Sequence, residues 1–214
     1  TLRLSSWKMA HNDLFLSNKY THRIEGGTLA IKNMNRGQAK EFAAKLLGTG
    51  TLRLETFENN AGFRFYANGA LEDFEGTLEW ESSESIDNNA VGFLNQASSL
   101  SAPNMRVRVV ADPADERRIL KNEINSGRSL TFDAFDHLHK NAVIYFNNAD
   151  VTLALKGRKW DSFLNGTITG EGALRFEKEG TTAITIGSDF SAPDFGPSGI
   201  TLSASFSPSH SRSR

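Results

Sequence analysis

The sequence predicts an all-β fold in which short strands stack as a solenoid. Apolar and polar residues alternate with a period of two through most of the chain, which is typical of strands with one buried face. Two different sequence phrases also recur, and internal repeats in a β-rich chain favour stacked architectures. Glycine and asparagine separate the alternating stretches, where a turning chain needs residues that tolerate positive φ.

The first repeat has a shift of 52 residues (141 − 89). Residues 89–97 (NAVGFLNQA) and 141–149 (NAVIYFNNA) share their first three residues, an asparagine at the seventh position and an alanine at the ninth. The second repeat relates residues 48–54 (GTGTLRL) to residues 170–176 (GEGALRF). One coil of a solenoid spans roughly 20 to 45 residues, so the 52-residue shift predicts about two coils.

Alternation also predicts the core, because it places apolar side chains on one face of each strand. The expected core residues are Leu52/Leu54, Phe63/Phe65, Leu78/Trp80, Val107/Val109, Leu153/Leu155, Leu174/Phe176, Ile184/Ile186 and Leu202/Ala204/Phe206.

Two segments have helical features. Residues 38–47 carry apolar residues at helical spacing, but residues 42–48 also align with the strand-like residues 164–170, and the shared pattern favours a strand. Residues 112–116 (DPADE) combine a proline with acidic residues, as at the first turn of a helix. We therefore expect a short helix or excursion from Pro113 to about Lys121.

The composition predicts one domain and limits its chemistry. We expect residues 1–206 to form a single solenoid cut from a longer chain, and the serine-rich residues 207–214 to form a disordered tail. A net charge of −1 gives no electrostatic basis for binding nucleic acid. The absence of cysteine excludes disulfides and thiolate sites, and no apolar run approaches the roughly 20 residues of a membrane helix.

Several phrases resemble a known family. Residues 26–30 (GGTLA), 47–52 (LGTGTL) and 71–78 (LEDFEGTL), with 150–154, 163–174 and 194–202 in the second half, resemble the β-helical passenger domains of Gram-negative autotransporters and their associated strand repeats. The resemblance implies a right-handed parallel β-helix with short helical excursions. It also implies a secreted or surface-displayed segment that acts as an adhesin or structural stem on the outer membrane, without catalysis or cofactor. Its expected partners are a host surface protein or glycan, or another copy of itself.

Two other classes of function stay open. Parallel β-helices also form polysaccharide-processing enzymes and phage tailspike domains, which would need paired carboxylates. A β-sandwich carbohydrate-binding module would also give short alternating strands.

The residues predict no catalytic group and no metal site. Residues 133–139 (DAFDHLH) form the densest polar cluster, but we expect an exposed corner there rather than a metal site, because Phe135 and Leu138 interrupt the ligands. The candidate acid pairs are Glu72/Asp73, Glu79/Glu81 and Asp189/Asp194, for which surface exposure is the usual role.

Trp160 is the predicted binding residue. It follows Lys159 and precedes Asp161, so it is the tryptophan with the most polar surroundings, and an outward indole suits a sugar or protein contact.

Overall fold

The computed structural model describes residues 2–6, 19–33, 40–56, 63–65, 70–82, 91–92, 99–111, 117–122, 128–138, 142–146, 151–170, 173–191 and 200–204. All regular elements in these ranges are β-strands, and all strand pairings among them are parallel. The strands are β1 (Leu2–Ser6), β2 (Thr21–Arg23), β3 (Thr28–Asn33), β4 (Lys40–Phe42), β5 (Lys45–Leu47), β6 (Thr51–Thr56), β7 (Phe63–Phe65), β8 (Thr77–Ser82), β9 (Val91–Gly92), β10 (Ser99–Ala111), β11 (Arg117–Asn122), β12 (Arg128–His137), β13 (Ala142–Phe146), β14 (Val151–Leu155), β15 (Ser162–Leu164), β16 (Thr167–Gly170), β17 (Leu174–Lys178), β18 (Ile184–Ile186) and β19 (Ile200–Ala204).

The strands fall into three columns, and the chain visits the columns in the same order in each coil. The central column contains β1, β3, β6, β8, the second halves of β10 and β12, β15 and β18. The leading column, which precedes it in each coil, contains β2, β5, the first halves of β10 and β12, β14, β17 and β19. The trailing column contains β4, β7, β9, β11, β13 and β16. The described residues therefore form the predicted all-β parallel solenoid.

The central column keeps its register from coil to coil. Leu29 pairs with Leu52, Leu52 with Leu78, and Leu78 with Val107. These partners are 23, 26 and 29 residues apart in the chain (52 − 29, 78 − 52 and 107 − 78). The 52-residue repeat spans two such steps, because β9 lies beside β11 and β11 pairs with β13. The predicted length of about two coils is confirmed.

The corner between the leading and central columns changes along the molecule. In the early coils, Gly50 and Gly76 occupy it, and a Cβ on Gly76 would lie 2.0 Å from the carbonyl oxygen of Gly50. Glycine is therefore required for this close backbone approach. β10 and β12 instead run straight through the corner, and their mutual register shifts between Ala102 and Arg106. After them, residues 156–161 form a longer corner between β14 and β15.

The inward faces of the columns form one apolar core. Nine of the residues that alternation assigned to the core are at most 1% exposed: Leu52, Leu54, Leu78, Val107, Val109, Leu153, Leu155, Leu174 and Phe176. Ile184 is half-buried, whereas Ile186 is 44% exposed, so its assignment to the core is wrong. Ile186 lies on β18, which pairs only with β15 among the described strands. The side chains at positions 63, 65, 80, 202, 204 and 206 lie outside the described set.

The helical predictions are corrected by the structure. Residues 117–121 belong to strand β11, whose backbone is paired with β13, so strand pairing overrides the local helix signal. Residues 112–116 lie outside the described ranges. The strand interpretation of residues 40–47 is confirmed by β4 and β5.

The same ranges exclude a sandwich and contain no membrane-spanning helix. A β-sandwich consists of antiparallel sheets, whereas the pairings described here are parallel. No helix long and apolar enough to cross a bilayer occurs in them. Residues 207–214, predicted as a disordered tail, are not among them.

Candidate functional site

Trp160 lies in the corner of residues 156–161, between β14 and β15. Arg158 and Lys159 are exposed, and Trp160 is half-buried. In the two preceding coils, β10 and β12 pass through this corner as continuous strands. Within the described residues, 156–161 are therefore the first loop at this corner after β8. The sequence predicts an outward, exposed indole here, whereas Trp160 is half-buried in the structure.

Asp133 fixes the backbone of this corner from the coil below. Its carboxylate is 1% exposed and accepts hydrogen bonds from the backbone N–H groups of Arg158 (2.9 Å), Lys159 (3.0 Å) and Trp160 (3.2 Å). Its carbonyl oxygen also accepts from the N–H of Gly157 (2.9 Å). Four consecutive amides are thus bound by one residue, which holds the corner in a single conformation.

Lys159 connects the corner to a coil much earlier in the chain. Its Nζ lies 5.7 Å from the centroid of the Trp160 ring and 2.6 Å from Oε2 of Glu75. A cation over an indole at an exposed site contributes about 0.5–1 kcal/mol. Glu75 is 84 residues away in the chain and precedes β8, so the ion pair spans the coils of β10 and β12. We name Glu75, Asp133, Lys159 and Trp160 the tryptophan corner.

A second polar group, the charged ladder, lies on the outward side of the central column. Arg53, Glu79, Arg108 and Asp136 are register partners in four successive strands, so their charges alternate. Arg53 donates from Nε to Glu79 at 2.9 Å, and Arg108 lies 3.6 Å from Glu79 and 3.5 Å from Asp136. Like the cross-strand pairs of any sheet, these contacts fix the register of neighbouring coils.

Asp136 is the most buried member of the charged ladder. It is 0% exposed, and its Oδ2 accepts from Nε of Arg106 at 2.7 Å. Its Oδ1 accepts from the backbone N–H of Phe163 in the next coil at 3.2 Å. Both oxygens are therefore engaged in contacts that join coils, which is a structural role.

The polar cluster of residues 133–139 is not the exposed corner that the sequence predicts. β12 continues through it to His137, and Asp133, Asp136 and His137 are all at most 1% exposed. His137 is in register with Val109 and Leu164 on the inward side, whereas Asp136 pairs with arginines on the other side. His139 lies outside the described residues. Within the described set, no three His, Asp or Glu side chains converge to hold a metal ion.

The structure describes both side chains of one candidate acid pair, Glu72/Asp73, and both are exposed. Asp73 is exposed and forms an ion pair with Lys45 at 2.5 Å, and Glu72 is exposed beside it. Asp189 accepts weakly from Nδ2 of Asn165 at 3.4 Å. Glu79 belongs to the charged ladder, while the side chain of Glu81 and all of Asp194 are outside the described set.

Sequence reasoning missed the two acids that organise the tryptophan corner. Asp133 had a usable signal: half of the 52-residue repeat is 26 residues, and 133 + 26 gives 159, so coil spacing places Asp133 beside Lys159. The sequence contains no comparable signal for Glu75. Its contact with Lys159 is possible because the two intervening coils, those of β10 and β12, have no loop at this corner.

Comparison with known proteins adds no identification. No protein-family model, curated protein or solved structure matches this chain.

Proposed function

We propose that this chain is a segment of a secreted or surface-displayed β-helical passenger, and that it acts as a stem with an adhesive contact at the tryptophan corner. The observation that carries the proposal is the in-register stacking of the central column from β1 to β18. Seven steps of about 4.8 Å extend this column over roughly 34 Å. A rod of this kind separates what lies at its two ends, as a stem requires.

The same stacking suits a chain that folds after crossing a membrane. Among the described strands, the backbone of each coil pairs only with that of the coils next to it, so coils can be added one at a time as the chain emerges. The absence of cysteine removes any need for disulfide formation during that process. Both features support display outside a Gram-negative outer membrane.

The tryptophan corner offers a partner a contact surface with a hydrogen-bonded backbone. Its backbone is already fixed by Asp133, so binding would cost little ordering of the loop. A half-buried indole beside an exposed lysine suits the apolar face of a sugar ring or an aromatic side chain. We therefore propose a host glycan or surface protein as the ligand of this corner.

The test is to display the chain on bacteria as a fusion between an N-terminal epitope and an autotransporter barrel. We expect the epitope to be accessible to antibody on intact cells, and the displayed chain to bind an immobilised glycan array or host cells. Trp160→Ala should weaken binding at least about tenfold, the effect of losing an aromatic anchor worth about 1.4 kcal/mol.

The matched control is Tyr20→Ala, which removes another aromatic side chain that is 42% exposed and leaves the tryptophan corner intact. Failure of the fusion to reach the cell surface would refute the passenger role. Display without binding above cells carrying the barrel alone would refute the adhesive contact and leave the stem.

A further inference from the structure

β18 is the last described strand of the central column, and its inward side chains are only partly covered. Along this column, Leu164 of β15 is 0% exposed, whereas its register partner Ile186 of β18 is 44% exposed. Ile184, the other inward position of β18, is half-buried. In the described ranges β18 pairs on one side only. The backbone N–H and C=O groups of an edge like this can pair with a further strand.

β1, the first described strand of the same column, occupies the same register positions as β18. In the described ranges β1 also pairs on one side only, with β3, and its register places Leu2 opposite Leu29 and Leu4 opposite Ile31. Leu2 and Leu4 thus occupy the column positions that Ile184 and Ile186 occupy at the other end. β1 and β18 run in the same direction, because all steps between them are parallel.

The two ends also complement each other in outline. At one end, β17 and β18 belong to the same coil, and β19 pairs with β17. The leading column therefore has one more strand at this end than the central column. At the other end β1 stands in the central column before β2, the first described strand of the leading column. A second copy placed end to end would bring its β1 beside β18 and next to β19, so that the two strands complete one coil.

We propose that the open edge of β18 pairs with β1 of a second copy of this chain. The pairing continues the register of the column, with Ile184 opposite Leu2, Thr185 opposite Arg3 and Ile186 opposite Leu4. The contact joins two different surfaces, so it does not close on itself and builds linear assemblies. This inference does not depend on the proposed adhesive contact, which lies on a corner between the two ends.

Single-cysteine variants test the register, since the chain has no cysteine of its own. Directly opposite residues of paired strands lie about 5 Å apart, within the Cα separation that a disulfide spans. Mixing Arg3→Cys with Thr185→Cys under oxidising conditions should give a disulfide-linked dimer. Neither variant alone should do so, nor should Thr185→Cys mixed with Ser101→Cys, an exposed position in the middle of the stack. Linked dimers of Thr185→Cys alone, or no linkage in the first mixture, would overturn the proposal.

Sedimentation velocity tests the association itself. We expect the average sedimentation coefficient of the unsubstituted 214-residue chain to rise with concentration. Ile186→Lys should abolish that rise without changing the circular dichroism spectrum, and Ser101→Lys should leave it unchanged. A chain that stays monomeric would overturn the proposal. Association that appears only after removal of residues 205–214 would overturn it as well, and would assign the edge of β18 to that segment.

Discussion

Replacing Asp133 with alanine should loosen the tryptophan corner and destabilise the coils around it. The substitution removes three hydrogen bonds from backbone amides to a carboxylate that is 1% exposed. A hydrogen bond to a charged group contributes about 1.5–3 kcal/mol. The loss is smaller than the sum of three, because Arg158 and Lys159 are exposed and their N–H groups can bind water in the variant. We expect the free energy of unfolding to fall by about 3 kcal/mol.

Two measurements check this value and its location. Urea denaturation followed by circular dichroism gives the change in stability. Hydrogen exchange by mass spectrometry should show faster exchange in residues 158–160, whose amides lose their carboxylate acceptor. Asp133→Asn keeps one carbonyl oxygen as an acceptor and should recover part of the loss.

The matched control is Asp73→Ala, which deletes the same group from a side chain that is 56% exposed and paired with Lys45. An exposed ion pair contributes about 1 kcal/mol at most. If Asp133→Ala costs no more than Asp73→Ala, or if exchange in residues 158–160 is unchanged, the Asp133 carboxylate does not organise this corner.

Three further substitutions test the stacking. Leu52→Asp places an unpaired charge at a position that is 0% exposed, and it should abolish the cooperative thermal transition seen by circular dichroism, because such a charge costs several kcal/mol. Gly76→Ala should lower the melting temperature, since its Cβ would lie 2.0 Å from a backbone oxygen, whereas Gly27→Ala, with only one atom at 3.8 Å, should not. Arg106→Met removes the 2.7 Å partner of buried Asp136 and should cost about 3 kcal/mol in urea denaturation, and an unchanged midpoint would contradict a register-fixing role.

The core was predictable from the sequence wherever a strand lies between two others. Alternation assigns Leu52 and Leu174 to the inward face, and both are at most 1% exposed. The same rule fails at Ile186, because alternation gives the face of a side chain but not whether another strand covers it. The 52-residue repeat gave the coil length because Val91 and Val143 lie in the same column, on β9 and β13.

The second repeat was less informative, since its two copies lie at different corners. Residues 48–54 lead into β6 of the central column, whereas residues 170–176 lead into β17 of the leading column. A glycine followed by alternating apolar residues starts a strand at either corner, so similarity in sequence does not identify the column.

The candidate site was predictable only in part. The polar neighbours of Trp160 predicted an exposed side chain, whereas the structure shows it half-buried. The burial of Asp133 and Asp136 was not apparent in a run of polar residues. Their burial depends on amides and arginines that other coils supply, and those partners are 25 to 30 residues away in the chain.

The spacing between partners in the central column constrains how a chain of this kind can gain or lose length. Leu52 and Leu78 occupy the same position in adjacent coils, 26 residues apart (78 − 52). Deleting residues 52–77 would bring Leu78 into the place of Leu52, and the remaining column would close up by one coil. Deleting a single residue from within a strand would instead turn the side chains that follow it in that strand to the other face, because facing alternates with every residue. The segments between strands are free of this constraint, since partners 23, 26 and 29 residues apart keep the same register. The rod can therefore change length by whole coils or within its corners, but not within its strands.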